Sequence, residues 1–191
     1  MQTIILASKS PRRKELMRLI PIQFEVITQE IEEVMDDQKT PEENVSMLAE
    51  QKALAVAKVY QDRWVIGCDT VVIDKGQILG KPKDTADAFK MLENLQGKCH
   101  AVCTGVSIVN RAQNIRRSFT TTSWVYMRSL ESKEIAWYVS TGEPMDKAGA
   151  YGIQGYASNF VEKIEGDYFN IVGLPVSQLY KILKEYHLIS F

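Results

Sequence analysis

Within Ser8-Lys9-Ser10-Pro11-Arg12-Arg13 the chain places two hydroxyls, one ammonium and two guanidinium groups. Ser10 suits a helix N-cap and Pro11 the first helical position. A helix start presents unpaired N–H groups and the positive end of the peptide dipole, so the cluster reads as an anion site suited to phosphate. The same residues serve equally as a capped helix with solvated charges. No G-x-x-x-x-G-K-S/T run is present, which excludes a P-loop. In Gly80-Lys81-Pro82, Lys81 offers a phosphate oxygen a point charge, or is a surface lysine. Asp69, in Gly67-Cys68-Asp69-Thr70, directly follows an apolar run, where α/β proteins place ligands. It can bind a divalent cation or take a proton from water, or it caps a turn. Glu32-Glu33 lies in an acidic stretch and supplies either metal carboxylates or solvated charge. Lys147-Ala148-Gly149-Ala150-Tyr151-Gly152-Ile153-Gln154-Gly155 permits close backbone approach at its glycines. Gln154 there could read a base edge with one acceptor and two donors, or lie in a flexible loop. Two basic sites, acidic groups and a base reader together describe a nucleotide site with a metal.

These residues need elements to hold them. Thr3–Ala7 reads as a strand, and the helix opened by Ser10 and Pro11 puts Leu16, Leu19 and Ile20 on one face. Phe24–Ile27 reads as a second strand and Glu30–Lys39 as a surface loop. Thr40-Pro41-Glu42-Glu43 is a capping box, followed by Val45, Leu48, Ala49, Lys52 and Val56 at helical spacing. Trp64–Cys68 is a short strand running into Asp69-Thr70. Val71–Ile73 and Gln77–Leu79 flank the turn signal Asp74-Lys75-Gly76. Thr85–Gln96 is a helix with Ala88, Phe89, Leu92 and Leu95 inward, ended by Gly97. Cys99–Val109 and Ile115–Met127 form a long hairpin. Ser132–Ser140 is a helix, Gly149–Ser158 a loop, Phe160–Ile164 a strand, and Pro175–His187 a closing helix. That last helix has Val176, Leu179, Tyr180 and Leu183 on its buried stripe. The alternation predicts an α/β fold with a mixed, twisted sheet and flanking helices.

Composition narrows the function classes. At 191 residues with 45% apolar and 25% charged side chains, the chain can bury a core without disulfides. It makes one domain over 1–191, or two small lobes sharing a core. A net charge of -1 argues against nucleic acid and anionic membrane as partners. The first apolar run is too short for a signal peptide, and no stretch reaches the ~18–20 apolar residues of a membrane span. Cys68, Cys99 and Cys103, without C-x-x-C, read as reduced thiols in a cytoplasmic protein. With His100 and His187 as the two histidines, a zinc site is not supported.

At ASKSPRRKEL, GCDTVV, GKPKD and KAGAYGIQG the chain resembles the Maf family, the septum-formation inhibitor Maf-like proteins. Further matches run over Glu50–Ala53, His100–Val106 and Glu165–Pro175, so the resemblance covers nearly the whole chain. It implies an inosine-triphosphatase-like (Maf/Ham1) fold with two lobes around a cleft. It also implies a homodimer and a divalent cation, Mg²⁺ or Mn²⁺. The implied activity is a nucleoside triphosphate pyrophosphatase releasing a monophosphate and pyrophosphate. Carried over, Asp69 is the proton acceptor, and Ser8, Arg13, Lys52 and Lys81 face phosphates. Glu33 is a metal or water-orienting carboxylate, with Asp69 sharing the metal. Arg12, Thr70 and Gln154 fall where the family sorts its substrates, in the pattern of the dTTP/UTP subgroup. The 7-methyl-GTP subgroup has Trp at position 12, and an arginine there repels a cationic purine. Lys9 and Gln51 depart from the common pattern without touching this chemistry. The rival readings are a purine-nucleotide pyrophosphatase and a non-catalytic division regulator. The latter needs no acid between two basic sites.

Overall fold

The opening apolar run forms β1, Ile4–Leu6, with all three residues buried. A strand covered on both faces needs no polar alternation, which is why it reads as a continuous apolar run. In the computed structural model, which describes residues 3–189, six more strands follow. They are β2 (Phe24–Val26), β3 (Val65–Asp74), β4 (Gln77–Leu79), β5 (Cys99–Asn110), β6 (Ile115–Met127) and β7 (Val161–Glu165). The helices are α1 (Pro11–Met17), α2 (Pro41–Ala57), α3 (Thr85–Leu95), α4 (Ser132–Ser140), α5 (Tyr168–Val172) and α6 (Val176–Glu185). The sheet order is β2-β1-β3-β5-β6-β7, with β4 paired to β3. β1 runs parallel to β2 and β3, whereas β4 and β7 run antiparallel to β3 and β6. The fold is therefore the expected α/β class with a mixed sheet. No helix among the described residues is long and apolar enough to cross a membrane.

The chain divides into two compact units. The first holds the residues up to Asp69, Thr104–Thr121 and those from Gly173 on; the second holds Thr70–Cys103 and Thr122–Val172. In the first, Ile5, Ala7, Ala53, Val56, Ala57, Val65 and Val109 form one apolar cluster. In the second, α3 and α4 bury Ala88, Leu92, Leu95, Ile135, Tyr138 and Val139 with Val72, Val102 and Phe160.

Local chemistry explains most boundaries. The Thr40 hydroxyl accepts from Glu43 N and the Glu43 carboxylate accepts from Thr40 N, closing the capping box of α2. Lys75 and Gly76, at φ 49° and 79°, make the two-residue turn between β3 and β4. Several expectations are corrected. β3 runs unbroken through Asp69 and Thr70, so Asp69 is a strand residue and not the cap of a turn. Leu19 lies past the end of α1 and is 58% exposed, because the helix stops at Met17. In α6, Ile182 is buried, while Val176 and Tyr180 are only half-buried. The segment around the glycines contains 3-10 turns at Ala148–Ala150 and Tyr156–Phe160, the second of which takes Phe160 out of the predicted strand. The five-residue α5 was not expected; it is too short to show an apolar period.

One contact sets where α2 sits. A Cβ on Gly67 of β3 would lie 2.1 Å from the Ala49 carbonyl oxygen and 2.7 Å from Ala53 N. On β5, a Cβ on Gly105 would lie 2.5 Å from the Val45 carbonyl oxygen. The helix backbone thus rests directly on two bare strand positions. Gly67→Ala should push α2 off the sheet and lower stability by about 3 kcal/mol, since backbone atoms have little room to yield. Urea unfolding of the variant checks this, and an unchanged midpoint would contradict it.

Candidate active site

Side chains two apart on a strand share a face, so Asp69 points the same way as Gly67, toward α2. Lys52 lies one turn along α2 from the Ala49 that rests on Gly67. Its Nζ reaches Asp69 Oδ1 at 2.7 Å and Glu33 Oε1 at 3.0 Å. The Lys52 and Asp69 side chains are 16% and 12% exposed, so this charge pair is held largely out of water. The Glu33 side chain is 54% exposed and approaches from the solvent side. Its loop is tied to the same helix by Asn44, which is buried. The Asn44 Oδ1 accepts from Asp36 N at 2.7 Å and its Nδ2 donates to the Asp36 carbonyl at 2.9 Å. α2 thereby carries the lysine and anchors the loop of one carboxylate, while Gly67 brings it to the other.

Ser8 and Arg13 belong to the same unit. Ser10 caps α1 by accepting from Arg13 N. The Ser8 hydroxyl oxygen accepts from Ser10 N and from Arg13 Nη1, each at 3.3 Å. Arg13 also donates from Nη1 to the Cys68 carbonyl at 3.0 Å and from Nε to the Gly173 carbonyl at 2.9 Å. It braces the strand residue just before Asp69 as well as offering positive charge. Arg12, half-buried, is its neighbour on α1. The buried Cys68 thiol is pushed up to about 11 by burial, against the pull of Arg13 and Lys52. It stays protonated and is no nucleophile. Among the described residues all three cysteines are free.

The remaining predicted residues, Thr70, Lys81 and Gln154, lie in the second unit. Thr70 directly follows Asp69 in β3. Lys81 is exposed just past β4, and the Gly80 carbonyl beside it accepts from Gly149 N at 3.0 Å. That bond joins the Lys81 segment to the glycine segment carrying Gln154, which is exposed. Gly149 and Ala150 both adopt positive φ, and a Cβ on Gly149 would meet Val72 at 3.0 Å. On the far side of the segment, the Tyr151 hydroxyl pairs with His100 Nε2 at 2.6 Å. Sequence reasoning gave no role to Asn44 or Glu143, or to His100 and Tyr151, which lie far apart in the chain.

Among the described residues no cluster of three or more metal-ligating side chains forms. Glu33 and Asp69 nevertheless converge on one ammonium, so they suit a hard cation that completes its shell with water and phosphate oxygens.

Fold and site together define a mixed α/β protein whose first unit gathers cations from two helices with one carboxylate from a strand and one from a loop. The comparisons with known proteins narrow this. A family model described as Maf-like protein matches residues 3–186. A dTTP/UTP pyrophosphatase of Geobacillus sp. (strain WCH70) is 48% identical over 96% of this chain and 98% of its own length. Its counterpart in Thermoanaerobacter sp. (strain X514) is 50% identical over 95% of each, and that of Clostridioides difficile (strain 630) is 46% identical over 98% and 96%. The structure of the Staphylococcus aureus Ham1 protein matches with a TM-score of 0.56 over 97% of this chain and all of that one. At 18% identity that likeness speaks for the fold. The chain belongs to the Maf-like family.

His100 yields a pH prediction. It is 1% exposed, Nδ1 has no partner, and burial holds its pKa down at about 4. The folded state keeps the ring neutral, while the unfolded chain protonates it near pH ~6.5. Stability tied to His100 is therefore complete above about pH 6.5 and falls as pH drops toward 4, by about 3 kcal/mol. His100→Gln removes that titration. The stability of the parent relative to the variant should fall by about this amount between pH 7 and pH 4. Parallel profiles in urea titrations would contradict it.

Proposed function

We propose that the chain, acting as a single domain over 1–191, is a nucleoside triphosphate pyrophosphatase. It hydrolyses dTTP and UTP to the nucleoside monophosphate and pyrophosphate. The observation that carries the reading is the Asp69–Lys52–Glu33 arrangement, an acid that can take a proton beside a cation that can meet phosphate. The names of full-length relatives at nearly half identity support the substrate. Water attacks the α-phosphorus, the bond to the bridging oxygen breaks, and pyrophosphate leaves with the electron pair. Asp69 accepts the proton lost by the water. Arg13, Lys52 and Lys81 offset the charge gathering on the leaving group, and Ser8 orients a phosphate oxygen. Glu33 and Asp69 would hold Mg²⁺ or Mn²⁺, which when bound neutralises phosphate charge and acidifies water. Before substrate arrives, Lys52 holds the two carboxylates together, and a triphosphate competes for its ammonium. Arg12, Thr70 and Gln154 select the base. We place the enzyme in the cytoplasm as a homodimer, with a house-cleaning role toward nucleotides.

Asp69→Asn keeps the shape and removes the basicity. kcat should drop by about 10²–10⁴-fold while nucleotide binding persists. Pyrophosphate release measured with and without chelator tests the whole reading; a near-normal rate in the variant removes Asp69 from the reaction.

A nucleotide panel tests the base. Uracil and thymine share an N3–H donor between two carbonyls, so UTP and dTTP should give similar kcat/KM. CTP should be poorer, purines poorer still, and 7-methyl-GTP poorest because its positive ring would face Arg12. If 7-methyl-GTP led the panel, the roles of Arg12, Thr70 and Gln154 would be overturned with the reaction intact.

A further inference from the structure

The glycine segment of the second unit is gripped on both sides of Gln154, and one residue holds both grips. Glu143 Oε1 accepts from the Tyr138 hydroxyl at 3.1 Å, and its Oε2 accepts from Tyr156 N at 3.2 Å. A Cβ on Gly155, at φ +79°, would lie 2.8 Å from both carboxylate oxygens, so the backbone just after Gln154 rests on that carboxylate. The main-chain carbonyl of Glu143 accepts from Lys147 Nζ at 2.6 Å. The stem of that lysine fills the space beside Gly152, where a Cβ would meet it at 2.9 Å. Tyr138, which orients the carboxylate, is itself fully buried in α4. Gln154 is thus an exposed side chain on a backbone clamped before and after it.

A glutamine amide can present either its carbonyl or its NH₂ to one position, depending on how it is turned. Toward the N3–H of uracil it must accept, and toward the bare N3 of cytosine it must donate. A backbone free to shift brings the amide to either base in whichever orientation fits, whereas a clamped backbone narrows the amide positions and orientations that reach the base. We propose that Glu143 is a positioning residue for base selection, fixing the backbone from which Gln154 reaches the base so that uracil and thymine are favoured over cytosine. This rests on the base-reading role given to Gln154 above.

The test compares kcat/KM for UTP and CTP in Glu143→Ala, Glu143→Gln, Gln154→Ala and the Glu143→Ala/Gln154→Ala double variant. The UTP:CTP ratio should fall about tenfold in Glu143→Ala, through KM for UTP more than through kcat. Glu143→Gln, which keeps one carbonyl acceptor, should recover part of the ratio. In the Gln154→Ala background, Glu143→Ala should leave the ratio where Gln154→Ala put it, as expected for residues acting in series. Tyr138→Phe removes only the hydroxyl that orients Oε1 and should shift the ratio the same way, less strongly. It keeps the idea testable should Glu143→Ala fold poorly. Equal losses for UTP and CTP, or additive effects in the double variant, would overturn the proposal and leave Glu143 a structural residue. A ratio that moves in Gln154→Ala but not in Glu143→Ala also overturns it. A ratio unmoved by Gln154→Ala overturns the base-reading role of Gln154 itself, and the proposal with it.

Discussion

The closeness of one helix to one strand governs the rest of the candidate site. Because Gly67 has no side chain, the α2 backbone settles onto β3 at Ala49 and Ala53. Only at that separation does a lysine on the next turn reach an aspartate two residues further along the strand, at 2.7 Å. A larger residue at 67 would move the helix outward and break the pair before altering any charged group. The apolar cluster of Ala53, Val56 and Ala57 with Ile5, Val65 and Val109 supplies the force that keeps the helix down. Burial and electrostatics here share one cause.

The pair explains why three charges of a small, nearly neutral chain tolerate each other's company. Lys52 and Asp69 are both mostly withdrawn from water, and removing either leaves the other without a counter-charge. Glu33 gives this ammonium a second carboxylate, so the group carries a net negative charge before any ligand arrives. Arg13 braces the same strand from its other partners, Ser8 and the Cys68 and Gly173 carbonyls. Its fork serves as a structural brace in addition to bearing charge, and a lysine there would keep the charge while losing the brace.

Much of this was legible in the sequence where the signal is local. The capping box at Thr40–Glu43, the turn at Lys75-Gly76 and the helix Ser132–Ser140 each stand where residue chemistry put them. The motifs around Ser8, Asp69 and the glycine segment marked the polar positions. Lys52 was different. Its spacing placed it among the apolar residues of a helix, and only the family resemblance gave it a role. Other buried polar partners lie far apart in sequence: His100 with Tyr151, and Ser123 with Asn170. Nothing in the periodicity of either segment announces such a bond. Gly67 is the clearest case. Its significance is a distance to a helix some fifteen residues earlier, which composition does not encode.

The buried thiol beside Asp69 gives the chain a built-in reporter. Cys68 is fully enclosed and stays protonated well above neutral pH, so an alkylating reagent reaches it only when β3 opens around it. Exposed Cys99 reacts without any opening and marks the unhindered rate. The contrast between the two turns thiol labelling into a clock for local breathing at the Lys52–Asp69 contact.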